Sequence, residues 1–225
     1  MNIGQLILQY LAVFLSLLLV LPLHEFAHAF AAVRSGDNTP KYSGRYTLNP
    51  FAHFDVFGLL MLMVAHFGWA KPVPINPNNF RNVKRGYFWT SIAGVLTNYA
   101  TAFLIYPVYV LFAYYLRFDF LLFDDLLIYF LYFSFIISVN LVVFNLIPVY
   151  PLDGFRVLEV ATKRRGKVFY FLRNYGYLVL LGLILVSFVV ERSALPWYFD
   201  PFGTFMNFVS YWFRYPITAF WGLFL

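Results

Sequence analysis

Three stretches of this chain, residues 3–33, 87–115 and 126–147, are long, apolar and almost free of charge, and nothing else in the sequence constrains the fold as strongly. Crossing a bilayer takes about 20 predominantly apolar residues. Inside lipid, each backbone N–H and C=O must find its partner within the segment, so stretches of this kind are helices. Among Asp, Glu, Lys and Arg, the three stretches contain only Glu25. A chain that is 62% hydrophobic and 12% charged, with a mean hydropathy of +0.71, is excluded from the ordinary soluble globules. The class expected is an all-α polytopic membrane protein.

The remaining segments fill out that frame. The start of the first stretch has neither a basic leader nor a small-residue cleavage site, so it reads as a retained span and not as a signal peptide. Pro22 falls inside it and removes a backbone N–H, which predicts a bend or loosened turn before His24, either as room beside a site or as a kink without consequence. Residues 41–48 alternate loosely after the turn formers Gly36, Asp37, Asn38 and Pro40, and read as a short strand or β-hairpin. The apolar run 56–67 is only about half the length of a span and should dip into the membrane without crossing it. Residues 68–77, rich in proline and β-branched side chains, read as an extended edge segment, and 78–85 as a basic loop. Beyond the three long stretches lies a further candidate span, 168–190. Residues 195–225 are dominated by aromatic side chains, but Arg214 would sit near mid-bilayer if they crossed, so they read as an interfacial or half-inserted tail. The expected organisation is a core over 1–166 and a C-terminal part over 167–225.

The net charge of +6 comes from basic residues in short loops between apolar runs. That pattern orients a membrane protein, so the lipid bilayer is an expected partner and nucleic acid is not. Placing Lys41, Arg45, Lys71, Arg81, Lys84 and Arg85 in the cytosol, with Lys163, Arg164, Arg165 and Lys167, leaves the acidic loop 117–125 outside. The ordering requires 56–67 not to cross, as its length already suggests. The first and third spans then run in the same direction, from outside to cytosol, and their C-terminal ends reach the same depth.

The first of those ends carries LPLHEFAHAF over residues 21–30. His24 and His28 share one helix face and can grip one metal ion, while Glu25 leans toward whatever that ion binds. Two packed histidines and a snorkelling glutamate are the plainer alternative, but a HExxH inside apolar sequence is costly without a task. The chain has no cysteine, so a bound metal must rest on histidine, carboxylate or water. The third span ends in NLIPVYPLDG, and Asp153 is the best remaining ligand candidate: an acid flanked by apolar sequence at the right depth. It would also serve as a helix N-cap, and the two roles are compatible. His24, His28 and Asp153 would then hold one Zn2+ per chain with a position left for water, and Glu25 would be the catalytic acid/base. Asn145 reads either as a donor to the developing oxyanion or as an interhelical hydrogen bond. Asn98 and Asn140 read as packing contacts, His53 as a hydrogen-bonded structural histidine, and His66 as a packed or interfacial side chain.

On these residues the chain resembles the site-2 proteases, intramembrane zinc metalloproteases, in the compact form without a PDZ domain. HEFAH is similar to the family's first motif, LNPFAHFDVFG to its Asn-Pro-x-x-His-x-Asp segment, GWAKPVPINP to its edge loop, and NLIPVYPLDG to its final motif. Together they cover most of residues 21–157. The resemblance implies that His24, His28 and Asp153 bind zinc, that Glu25 is catalytic, that Asn145 contacts substrate, and that the catalytic core has three transmembrane helices. It also implies hydrolysis of peptide bonds in or near locally unwound transmembrane segments of membrane-protein substrates, often after another protease has trimmed them, releasing a cytosolic regulator. The expected setting is the cell (plasma or inner) membrane, with the active site near the cytosolic side. Val95 in AGVLTN departs from the family, which shows proline there; a change in helix start, not in chemistry, is expected. The competing reading is a metal-ion transporter or channel whose histidines and acids line a path. Glu25→Gln separates the two, since it should abolish cleavage but spare flux. A non-catalytic scaffold would lack a ligand or the base, and neither is missing. No stretch of the sequence signals an oligomeric state.

Overall fold

The computed structural model describes residues 3–58, 61, 68, 70–116, 118, 121–193 and 195–225. In chain order the helices are α1 (Ile3–Ser35), α2 (Thr39–Tyr42), α3 (Pro50–His53), α4 (Val83–Tyr114), α5 (Leu121–Leu146), α6 (Asp153–Ala161), α7 (Lys167–Asn174), α8 (Gly176–Arg192) and α9 (Pro201–Trp221). Among the described residues there is no sheet, and three helices, α1, α4 and α5, are long and apolar enough to cross a membrane. The expected all-α polytopic class is what the chain adopts.

α1, α4 and α5 pack against one another as the central bundle. Their facing surfaces carry small or slender residues, among them Ala12, Ser16, Ala29 and Ala32 of α1, Gly94, Asn98 and Ala102 of α4, and Ser134, Ser138 and Val139 of α5, all buried. With lipid as solvent there is no hydrophobic gain from joining two apolar helices, so close backbone approach and hydrogen bonds do that work. The Ser16 hydroxyl reaches Ala12 O of its own helix at 2.8 Å and Phe130 O of α5 at 2.9 Å. α1 and α5 run side by side in the same direction, so their C-terminal ends meet.

Several expectations are corrected by the structure. Residues 41–48 form no strand or hairpin: among the described residues the one β pairing is the isolated antiparallel bridge between Phe54 and Ala70. Local capping chemistry prevails there over the weak alternation. The Asp37 carboxylate accepts the Thr39 N–H at 3.0 Å, Pro40 stands in the first turn of α2, and Gly44 at φ +69° closes the helix, with Gly44 N bonding Lys41 O at 3.1 Å and Arg45 N bonding Pro40 O at 2.8 Å. The edge segment 68–77 keeps that bridge and a bond from Lys71 N to His53 O at 2.7 Å. α4 begins at Val83, so Val95 stands well inside the helix and has no bearing on its start.

The stretch 168–190, expected as one span, is two helices, α7 and α8, bent by 60° about Tyr175. Gly176 lies at the bend, where an added Cβ would come within 2.6 Å of Val149 Cγ1, so tertiary contact fixes the turn. The aromatic tail is ordered against the bundle. α9 runs antiparallel to α5 and parallel to α4: Phe202 meets Phe144 at 6.5 Å between ring centroids, Ser210 Oγ donates to Asn140 at 2.9 Å, Ile217 packs with Phe135, Val139 and Ala102, and Trp221 Nε1 donates to Phe103 O at 2.9 Å. Arg214, half-buried on this helix, donates through Nε to Ser210 O at 3.3 Å. Most of the dipping run 56–67, His66 included, lies outside the described residues.

Candidate metal centre and active site

The helical repeat of α1 stacks His24 above His28, with ring centroids 4.6 Å apart and the two Nε2 atoms 3.0 Å apart. The third group arrives from the far side of the sequence. After α5 the chain turns through Pro148 and Pro151 and starts α6 at Asp153, whose side chain points back at the imidazoles. Gly154 makes that turn possible, because a Cβ there would lie 2.4 Å from Leu146 O. Asp153 Oδ2 is 3.0 Å from His28 Nε2 and 3.5 Å from His24 Nε2, with all three side chains buried. Asp153 is the first residue of α6 and not its N-cap, which is Leu152.

Proton placement shows what this cluster is built for. His28 Nδ1 lies 2.6 Å from Thr90 O, and a carbonyl can only accept, so Nδ1 carries the hydrogen and, in the neutral ring, Nε2 presents its lone pair. Asp153 Oδ2 is buried and has no hydrogen-bond donor beyond the two imidazoles. Electron-pair donors thus converge on one point, with ligand atoms within 4.8 Å of one another, and two imidazole nitrogens with a carboxylate oxygen form a set that suits zinc. The residues fit the ion. Gly94 of α4 makes room for both rings: a Cβ there would come within 2.5 Å of His24 Cε1 and of His28 Nε2.

The other residues singled out in the sequence fall as follows. Glu25 lines a cavity of about 110 Å³ together with His24, His28 and Asp153, and its Oε2 accepts the Val73 N–H at 3.2 Å. Residues 72, 73 and 75 form the roof of that cavity. Asn145 lines the same cavity while its Nδ2 donates to Leu141 O at 3.1 Å. His53 stands apart, fully buried, its Nε2 donating to Thr47 O at 2.8 Å. Two residues escaped the sequence reading. Arg156 lines the cavity with Nη1 3.9 Å from Asp153 Oδ1, a helical neighbour visible only once Asp153 is known to open α6. Asn98, read as a packing contact, has its amide 3.0 Å from His24 Nδ1, and its spacing of one helical turn from Gly94 was the available signal.

Comparison with known proteins gives the chain its relatives. A model of peptidase family M50 matches residues 121–189. A protein of Bacillus subtilis (strain 168), named "Putative zinc metalloprotease YwhC", is 39% identical over 175 residues, covering 76% of this chain and 78% of that protein. No solved structure matches. With its zinc-type ligand cluster and span-length helices, the chain is a membrane metalloprotease that belongs to peptidase family M50, the site-2 proteases.

Proposed function

We propose that this metalloprotease hydrolyses peptide bonds in or near the transmembrane segments of membrane-protein substrates, with His24, His28 and Asp153 as zinc ligands, Glu25 as general acid/base and Asn145 as a donor to the developing oxyanion. One arrangement carries the reading. Glu25 faces the same cavity as the converging His24 Nε2, His28 Nε2 and Asp153 Oδ2, inside a bundle of span-length helices. Zinc held there would supply Lewis acidity to a scissile carbonyl and make water a competent nucleophile near neutral pH. Glu25 accepts the Val73 N–H with one oxygen and has the other with which to take the attacking water's proton and return it to the leaving amine. Asn145 has two amide hydrogens, so it can keep Leu141 O with one and offer the other to the oxyanion.

A transmembrane helix has its backbone groups already bonded and must unwind locally before a carbonyl can reach the site. An unwound stretch regains hydrogen bonds by lying along residues 70–75, where the Val73 N–H already faces Glu25. The basic residues Lys163, Arg164, Arg165 and Lys167 follow α6, which bears Asp153, so the positive-inside rule puts the site near the cytosolic face of the cell membrane.

The test is co-expression of wild type and Glu25→Gln with candidate single-span membrane proteins. The variant should retain zinc and accumulate the uncut partner. Cleavage by Glu25→Gln at the wild-type rate would remove Glu25 from the reaction and the reading with it.

A further inference from the structure

One face of α4 serves the metal centre three times at successive turns. Thr90, Gly94 and Asn98 are spaced four apart, so they share that face. Thr90 offers its carbonyl to His28 Nδ1 at 2.6 Å, Gly94 leaves the room that both rings occupy, and Asn98 brings its amide within 3.0 Å of His24 Nδ1. The arrangement is lopsided in one respect. On His28 the partner is an oxygen, which demands a hydrogen on Nδ1 and leaves Nε2 free. On His24 the nearer end of the Asn98 amide is its nitrogen, which would demand the hydrogen on Nε2, where Asp153 and His28 converge.

The Asn98 oxygen resolves this. Asn98 is fully buried and its Oδ1 has no partner. Either orientation of the group leaves one end without a partner, so what decides between them is the tautomer that each demands of His24. The two ends of a carboxamide are nearly equal in size, so a half-turn of the group needs no extra room. It brings Oδ1 against His24 Nδ1–H and frees Nε2.

We propose that Asn98 is the positioning residue for His24: its amide oxygen accepts the Nδ1 hydrogen, fixes the imidazole as the Nδ1–H tautomer and turns the Nε2 lone pair toward the metal, as Thr90 O does for His28. Helix α4 donates no ligand, yet it sets the tautomer and orientation of both histidines. The inference rests on the metal-site reading above and adds to it an acceptor requirement at position 98.

Zinc affinity of the purified full-length chain, read by competition with a chromogenic zinc chelator, tests it without reference to proteolysis. Asn98→Leu, close in shape but without an acceptor, should weaken zinc binding about 10- to 100-fold, as losing a ligand's outer partner does. Asn98→Asp, which accepts but cannot donate, should bind zinc as tightly as wild type or tighter. Zinc binding by Asn98→Leu at wild-type strength overturns the proposal. So does a folded Asn98→Asp that binds zinc 10-fold or more weakly than wild type, because a donor would then be what matters; this comparison with wild type decides the matter if Asn98→Leu does not fold. His24→Ala separates the two levels of the argument. Loss of zinc in His24→Ala with full binding in Asn98→Leu sinks the Asn98 inference alone, whereas full binding in His24→Ala sinks the metal-site reading itself.

Discussion

The Val73 N–H donates to Glu25 Oε2 across 3.2 Å, so the edge segment is latched onto the acid/base candidate. A cavity of about 110 Å³ beneath that segment holds a few water molecules and no peptide strand. On the reading proposed above, a substrate strand would enter by displacing part of residues 72–75, with the second Glu25 oxygen left for the proton of the water molecule. Removing the acceptor tests the latch. In Glu25→Ala, hydrogen exchange over residues 71–75 should quicken about 2- to 10-fold, the equivalent of one hydrogen bond worth about 1 kcal/mol, while α5 is unaffected. Exchange at the wild-type rate would mean that the segment is held by something other than Glu25.

Gly94 offers a sharper steric test. An alanine Cβ at this position would sit 2.5 Å from His24 Cε1 and from His28 Nε2, and a ring that retreated would give up its bond to Thr90 O or to the Asn98 amide. Gly94→Ala should destabilise the protein by about 1–3 kcal/mol through overpacking and lower its zinc content. The control is Gly182 of α8, which has nothing within 4 Å of its would-be Cβ. Gly182→Ala should be neutral or stabilise by up to about 1 kcal/mol, since glycine is the poorer helix former. Equal zinc content in both variants would show that the close approach at Gly94 is not what shapes the site.

These contacts explain which parts of the protein could be read from its residues. Helices α1, α4 and α5 announce themselves because length and apolarity decide a bilayer span almost without reference to neighbours. His24, His28 and Asp153 were legible for a related reason, since polar groups at such depths need a task. What escaped is set by contacts between distant residues. A buried Asn98 looks the same in sequence whether it joins two helices or steers a histidine. The bend at Tyr175 depends on Gly176 meeting Val149, and the course of α9 on Ser210 meeting Asn140. The failure at 41–48 is of another kind, because the competing information was local: Asp37, Pro40 and Gly44 spell a capped turn of helix more strongly than the alternation spells a strand.

Asp37 gathers the loops on the site side of the bundle. It accepts from Thr39 N at 3.0 Å, Asn76 N at 2.7 Å and Asn79 Nδ2 at 2.9 Å, and so ties the end of α1 to the chain just past the cavity roof. Burial alone would raise its pKa, but the hydrogen bonds from the Thr39 hydroxyl, the Asn79 side chain and the Asn76 and Thr39 amides outweigh that and hold it below the ordinary 3.8. A carboxylate with a lowered folded pKa contributes in full above its unfolded value, and the contribution disappears as pH falls through the folded value. Asp37→Asn should therefore cost about 2 kcal/mol at neutral pH, and its difference from wild type should stay level down to about pH 5 and shrink below pH 4. Denaturation of both proteins in detergent across that range measures it. A difference that grew on acidification would reverse the sign of the shift and with it the role given to Asp37.

Metal removal tests the centre as a whole. Without a cation, His28 Nε2 and Asp153 Oδ2 lie 3.0 Å apart in a buried site, close enough to share a proton that a bound ion would displace. Anything that binds the folded state alone stabilises it by about 2.7 kcal/mol at a hundredfold excess over its Kd. For a chain of this size that corresponds to a rise of about 5–10 °C in Tm when zinc is returned to chelator-stripped protein. Asp153→Asn and His28→Ala should lose both the rise and proteolysis, whereas Glu25→Gln should keep the rise and lose only proteolysis, because it removes the base and leaves the ligands in place. A stripped protein that unfolds at the same temperature with and without zinc, and cleaves as well as the loaded one, would leave His24, His28 and Asp153 as a buried polar cluster with no ion to hold.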